Sequence, residues 1–167
     1  SWPSLLARYN VTPNDGQYVV LSRRTSPLAV DRVLIMEGQF ALGEWVQLPM
    51  NAGLLFAEVD VEPNMLGHLS KIFYKTDPIE ISVSTPNRED NVYRFIPSMA
   101  RSGFLLSPLI GTTADFARVA TERVNNLKQN SVYQFRIAPI GSRPICWSRN
   151  YKLRVYSITY LPEHLQQ

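Results

Sequence analysis

The sequence is poor in the residues on which most enzyme chemistry depends. Its 167 residues include one cysteine, Cys146, and two histidines, His68 and His164. A single thiol excludes an internal disulfide framework and a multi-cysteine zinc site. No serine lies in a Gly-x-Ser-x-Gly elbow, and the eight glycines form no phosphate-binding loop. No run approaches the roughly 18–20 unbroken apolar residues of a membrane-spanning helix. Charge of either sign is modest, 17 Lys+Arg against 14 Asp+Glu for a net of +3. Without a dense basic run, nucleic acid is not an expected partner.

What is present suits a folded domain. Hydrophobic residues make up 45% of the chain and charged residues 19%, enough to bury a core. The length fits one domain at roughly 100–200 residues each. The chain opens without an initiator Met, which implies processing or excision from a longer protein. Residues 1–16 read as an irregular lead-in, 17–161 as a single domain, and 162–167 as a C-terminal tail.

Twelve prolines scattered among short apolar runs are the punctuation of a sheet protein. Leu54–Glu62 is the clearest strand, with Leu55, Ala57, Val59 and Val61 on one face and Glu58, Asp60 and Glu62 on the other. Further strands are predicted at Gln17–Leu21, Arg32–Met36 (an edge strand), Glu44–Leu48, Lys71–Lys75, Ile79–Ser84, Val92–Ile96, Phe104–Ser107, Val132–Ala138 and Tyr151–Leu161. Residues 85–91 form a polar hairpin loop. One helix starts near Thr113, capped by Thr112 with Asp115 in a capping-box position, and runs to about Asn125. The pattern predicts an all-β fold, a jelly-roll type β-sandwich with one short helix. The alternative is a closed antiparallel β-barrel.

Candidate sites are few. Glu58, Asp60 and Glu62 stand about 7 Å apart on one strand face. They suit a calcium ion or the acid and base of a glycan-acting hydrolase or lyase. They suit equally a solvated face paired with Lys152 and Arg154, which share the period of two. Arg94, Arg101 and Asp115 are candidates for a polar cluster that recognises a carboxylate or sugar hydroxyls, or for an internal salt bridge. Of the aromatics, Trp2, Trp45, Trp147 and Tyr151 are the candidate sugar platforms, although most aromatics in a sheet domain are core. Cys146 reads as a buried structural residue and His68 as a turn or surface residue. No catalytic residue is assigned, and no cofactor beyond the calcium candidate.

The runs Ala57–Pro63 and Tyr93–Pro97, then Met99–Leu109 and Asp115-Phe116, resemble a soluble domain of bacterial polytopic membrane proteins. Those proteins are similar to multi-span glycosyltransferases with lipid-linked donors and to envelope permeases. The resemblance covers about residues 40–120. It implies an extracytoplasmic β-sandwich on the periplasmic side of a bacterial inner membrane, beside a membrane-embedded remainder of the parent chain. It carries no catalytic residue onto this segment. The expected function is non-catalytic: binding or positioning an envelope glycan or a protein partner. The alternatives are the carboxylate hydrolase or lyase and a structural assembly protein with a capsid-type jelly roll.

Overall fold

The computed structural model describes residues 2–13, 18–49, 53–68, 77–86, 88–121, 128–141 and 146–161. In chain order the elements are α1 (Trp2–Arg8), β1 (Tyr9–Pro13), β2 (Val19–Arg23), β3 (Ala29–Ala41), β4 (Trp45–Gln47), β5 (Leu54–Asp60), β6 (Ile79–Thr85) and β7 (Arg88–Phe95). They continue with α2 (Pro97–Ala100), β8 (Phe104–Ser107), α3 (Thr113–Thr121), β9 (Gln134–Pro139) and β10 (Asn150–Leu161). Residues 65–68 form a helical turn and Lys128–Asn130 a 3₁₀ turn.

The period-two pattern of β5 builds the centre of the molecule. Leu55, Ala57, Val59 and the following Val61 are buried. Their neighbours in the sheet order β3-β10-β5-β8 supply Leu153, Val155 and Leu106 to the same core. Facing them are Val46, Phe135, Ile137, Ile79, Ile81, Val83 and Phe95 of the second sheet, ordered β4-β9-β6-β7. Each large side chain so buried contributes roughly 1.5–3 kcal/mol over its exposed state.

All pairings in both sheets are antiparallel. Apart from the β6–β7 hairpin, every connection from β3 to β10 passes from one sheet to the other. That is the double Greek key of a jelly roll. Two separate sheets, whose outer strands have no further strand partner among the described residues, exclude the closed barrel.

A second, smaller core covers the outer face of the first sheet. Leu54, Phe56 and Ile158 are buried there against Leu6, Val11, Ala117 and Val119. This corrects the reading of residues 1–16 as irregular: residues 2–8 are helical and residues 9–13 pair with β2. Burial of Leu6 and Ala7 holds a helix too short to show a period of its own. The fold thus has several short helices rather than one.

Several strand boundaries also differ. β5 ends at Asp60, two residues short of Glu62. β3 runs 13 residues, far beyond Arg32–Met36, because the 12 residues of β10 pair with it from end to end around a bulge at Ile35. The loop at 85–91 shrinks to a turn, since Thr85 pairs with Arg88 and β7 starts there. The predicted strand Lys71–Lys75, the end of the helix near Asn125, and the tail 162–167 with His164 lie outside the described residues.

Candidate functional site

The acidic face of β5 is set by its register with β10, which places Lys152 opposite Asp60 and Arg154 opposite Glu58. The Glu58 carboxylate accepts from Arg32 at 2.6 Å and from the Tyr156 hydroxyl at 3.3 Å, with Arg154 at 3.4 Å. Asp60 accepts from Nε and an Nη of Arg101 at 2.9 and 2.6 Å. Glu62 lies past the strand end, exposed, and its carbonyl accepts the Ser148 N–H at 2.9 Å. Guanidinium groups therefore occupy Glu58 and Asp60, the arrangement expected of a paired sheet face. Among the described residues no three His, Cys, Asp or Glu side chains are placed to hold a metal ion.

The candidate cluster Arg94, Arg101 and Asp115 is divided. Arg94 and Arg101 line one open groove of about 940 Å³, together with Trp147. Arg94, on β7, stands opposite Glu80 of β6. Asp115 is engaged elsewhere, in the capping box at the start of α3. Its N–H donates to the Thr112 hydroxyl at 3.1 Å, and its carboxylate accepts the Thr112 N–H at 3.0 Å and Asn130 Nδ2 at 3.2 Å. Burial works against its charge, but the bonds from Thr112, Gly111 and Asn130 outweigh it and hold the carboxyl below its usual pKa.

Trp147, Trp45 and Tyr151 are packed into the fold. Trp147 is 6% exposed, and its indole N–H donates to the Asp77 carbonyl at 2.8 Å, so it is a groove wall and not an open stacking face. Trp45 on β4 is half-buried under the guanidinium of its cross-strand neighbour Arg136, 4.9 Å from the ring centroid. Tyr151 is 1% exposed, with its ring 6.1 Å from that of Phe40. Burial, aided by the Glu44 carboxylate, raises its phenol far above the ordinary value. Trp2 lies at the start of α1. Cys146 is buried, and its carbonyl accepts the Asn64 N–H at 3.1 Å, while His68 is exposed.

Comparison with protein-family models, curated proteins and solved structures finds no match. The functional reading therefore stands on geometry.

A feature the candidate residues did not capture is apolar exposure on the outer strands. Val33 and Leu34 of β3 are 52% and 46% exposed, and Val92 and Tyr93 of β7 are 53% and 43% exposed. Ile96 and Met99, which follow β7, extend the second strip. The signal in the sequence was the failure of alternation in Val33-Leu34-Ile35-Met36, where neighbouring residues on both faces are apolar.

Proposed function

We propose that this chain is a structural assembly protein, a capsid-type jelly roll whose copies associate into a larger shell or lattice. The observation that carries this reading is the jelly-roll strand order combined with exposed aliphatic residues on the outer strands of both sheets. Jelly rolls serve as capsid, lectin and cupin domains. A metal-dependent member needs a cluster of ligands, and a lectin needs open aromatic faces beside polar groups. Trp45, Trp147 and Tyr151 are buried or covered, and the Glu58 and Asp60 carboxylates are held by arginines. Contiguous exposed apolar surface is the mark of a face that meets another protein. Sedimentation velocity over a concentration series, with electron microscopy of the largest species, tests the reading. Discrete assemblies that grow with concentration are expected; a strict monomer at the highest attainable concentration overturns it.

One observation favours a second reading, the envelope-glycan domain. Arg94, Arg101 and Trp147 share a groove whose volume, about 940 Å³, falls within the usual range for small-molecule sites. A bacterial glycan array probed with the purified chain and with Arg94→Ala is the test. A hit lost in the variant supports the reading, and a blank array removes it.

A further inference from the structure

We infer that two copies of this chain pack face to face through the outer surface of the second sheet. A two-fold axis running between β6 and β7 sets Glu80 of each copy against Arg94 of the other. The inference rests on the assembly reading and names its partner, a second copy, and its contact.

The outer faces of the two sheets are unequal. Leu54, Phe56 and Ile158 of the first sheet are buried against α1 and α3. On the second sheet the outward side chains of β7 stand exposed.

Register fixes what that face presents. β6 pairs without a break with β7 over residues 79–83 and with β9 over residues 79–84, so its side chains alternate strictly. Ile79, Ile81 and Val83 enter the core, and Glu80 and Ser82 therefore point outward. Arg94 and Val92 of β7 stand opposite Glu80 and Ser82. One row further, Ile96 continues β7 in extended backbone, and the Ile140 N–H donates to the Pro78 carbonyl at 2.9 Å. Val92, Ile96 and Ile140 are 53%, 44% and 52% exposed. These three line a single groove with Glu80 and Arg94, which makes them one patch.

The charges point to a second copy. Glu80 and Arg94 are cross-strand neighbours, yet among the described residues neither side chain makes an ion pair or hydrogen bond. A face holding one such acid beside one such base is its own complement. A two-fold axis in the contact plane, midway between them, brings each onto the opposite charge of the other copy. The same operation sets Pro78 on Ile96 and Ser82 on Val92, so apolar rows flank the two ion pairs. Ile140, on the neighbouring strand, closes the rim beside Ile96 of the second copy. A partner of uniform charge would instead meet its own sign at Glu80 or at Arg94. Three strands about 4.8 Å apart make a small contact, at the end of the size range where pairing is transient. Self-association should accordingly emerge at micromolar concentrations and above.

The experiment is a charge swap read by sedimentation velocity. Glu80→Arg gives each copy two cations at the axis, and Arg94→Glu gives each copy two anions. Either variant alone should self-associate on the order of a hundredfold more weakly than the parent. Mixed in equal amounts, the two should pair with each other, because every contact across the axis is again between opposite signs. A variant that fails to fold is not repaired by mixing, so this rescue reads the contact and not the fold. Ile140→Ser changes no charge and should weaken pairing about tenfold. Variants that pair as the parent does, or a mixture that stays monomeric, overturn this contact and leave the assembly reading standing. A parent protein that is monomeric at every concentration overturns both.

Discussion

The Arg32 guanidinium lies over the ring of Tyr156, its central carbon 3.6 Å from the ring centroid. The same group reaches Glu58 at 2.6 Å and lies 5.2 Å from the centroid of Phe56. One side chain of β3 thereby bridges β10 and β5, joining three strands on the outer face of the sheet. The stacking geometry needs a planar cation, so lysine is a poor replacement. Arg32→Ala should destabilise the fold by about 1–2 kcal/mol, the sum of a cation–π contact and a partly exposed ion pair. Arg32→Lys should recover less than half of that loss. Urea unfolding of the two variants beside the parent checks the order.

Two glycines are fixed by close approach. A Cβ at Gly67 would overlap the Cys146 carbonyl oxygen, and one at Gly103 would overlap the ring of Phe56. Gly67 belongs to the turn that ties residues 63–67 to 146–148, where Pro63 bridges Trp147 and Asn64 Oδ1 accepts the Gly67 N–H at 2.9 Å. Gly103 also has φ +86. Gly67→Ala should cost about 1–3 kcal/mol and Gly103→Ala about 2–4 kcal/mol. Gly43, with φ +91 and open space around it, should lose only about 1 kcal/mol as alanine. Chemical denaturation midpoints of the three variants should follow that order.

The capping box predicts an acid-side dependence of stability. Asp115 is held below its usual pKa in the folded state, chiefly against the opposing effect of burial, by bonds from Thr112, Gly111 and Asn130. A depressed folded pKa stabilises above the unfolded pKa, and that stability is lost as pH falls through the folded value. Asp115→Asn should therefore show a flatter stability profile than the parent as pH drops from the ordinary aspartate range into stronger acid. Thr112→Ala should lose about 1 kcal/mol at neutral pH. Denaturant titrations at several acidic pH values test both.

The fold was legible where one face of a strand meets the core and the other meets water. The alternation of Leu55, Ala57, Val59 and Val61 identified their strand, and matching spacings linked Lys152 and Arg154 to its carboxylates. The pairing of Thr112 with Asp115 was equally local. What escaped was long-range. Leu54 and Phe56, on the same face as the acids, are buried because α1 and α3 cover that part of the sheet. Arg32 is the cation nearest Glu58, and Arg101 takes Asp60 rather than Asp115. Neither follows from spacing, because the order of strands in a jelly roll is set by crossings between sheets.

Tyr151 offers the sharpest test of whether a candidate site residue is core. It is 1% exposed between the sheets, and among the described residues no group bonds its hydroxyl. A buried polar atom without a partner retains the desolvation penalty of leaving water. Phenylalanine keeps the ring and its packing on Phe40 while removing that atom. Tyr151→Phe should therefore be stabilising by about 1 kcal/mol, raising the melting temperature by roughly 2–4 °C. A sugar-binding or proton-transferring tyrosine predicts the opposite pattern, unchanged stability with binding or activity lost. Differential scanning calorimetry of the variant decides between them: a fall in melting temperature would show that the hydroxyl is bonded in the folded protein.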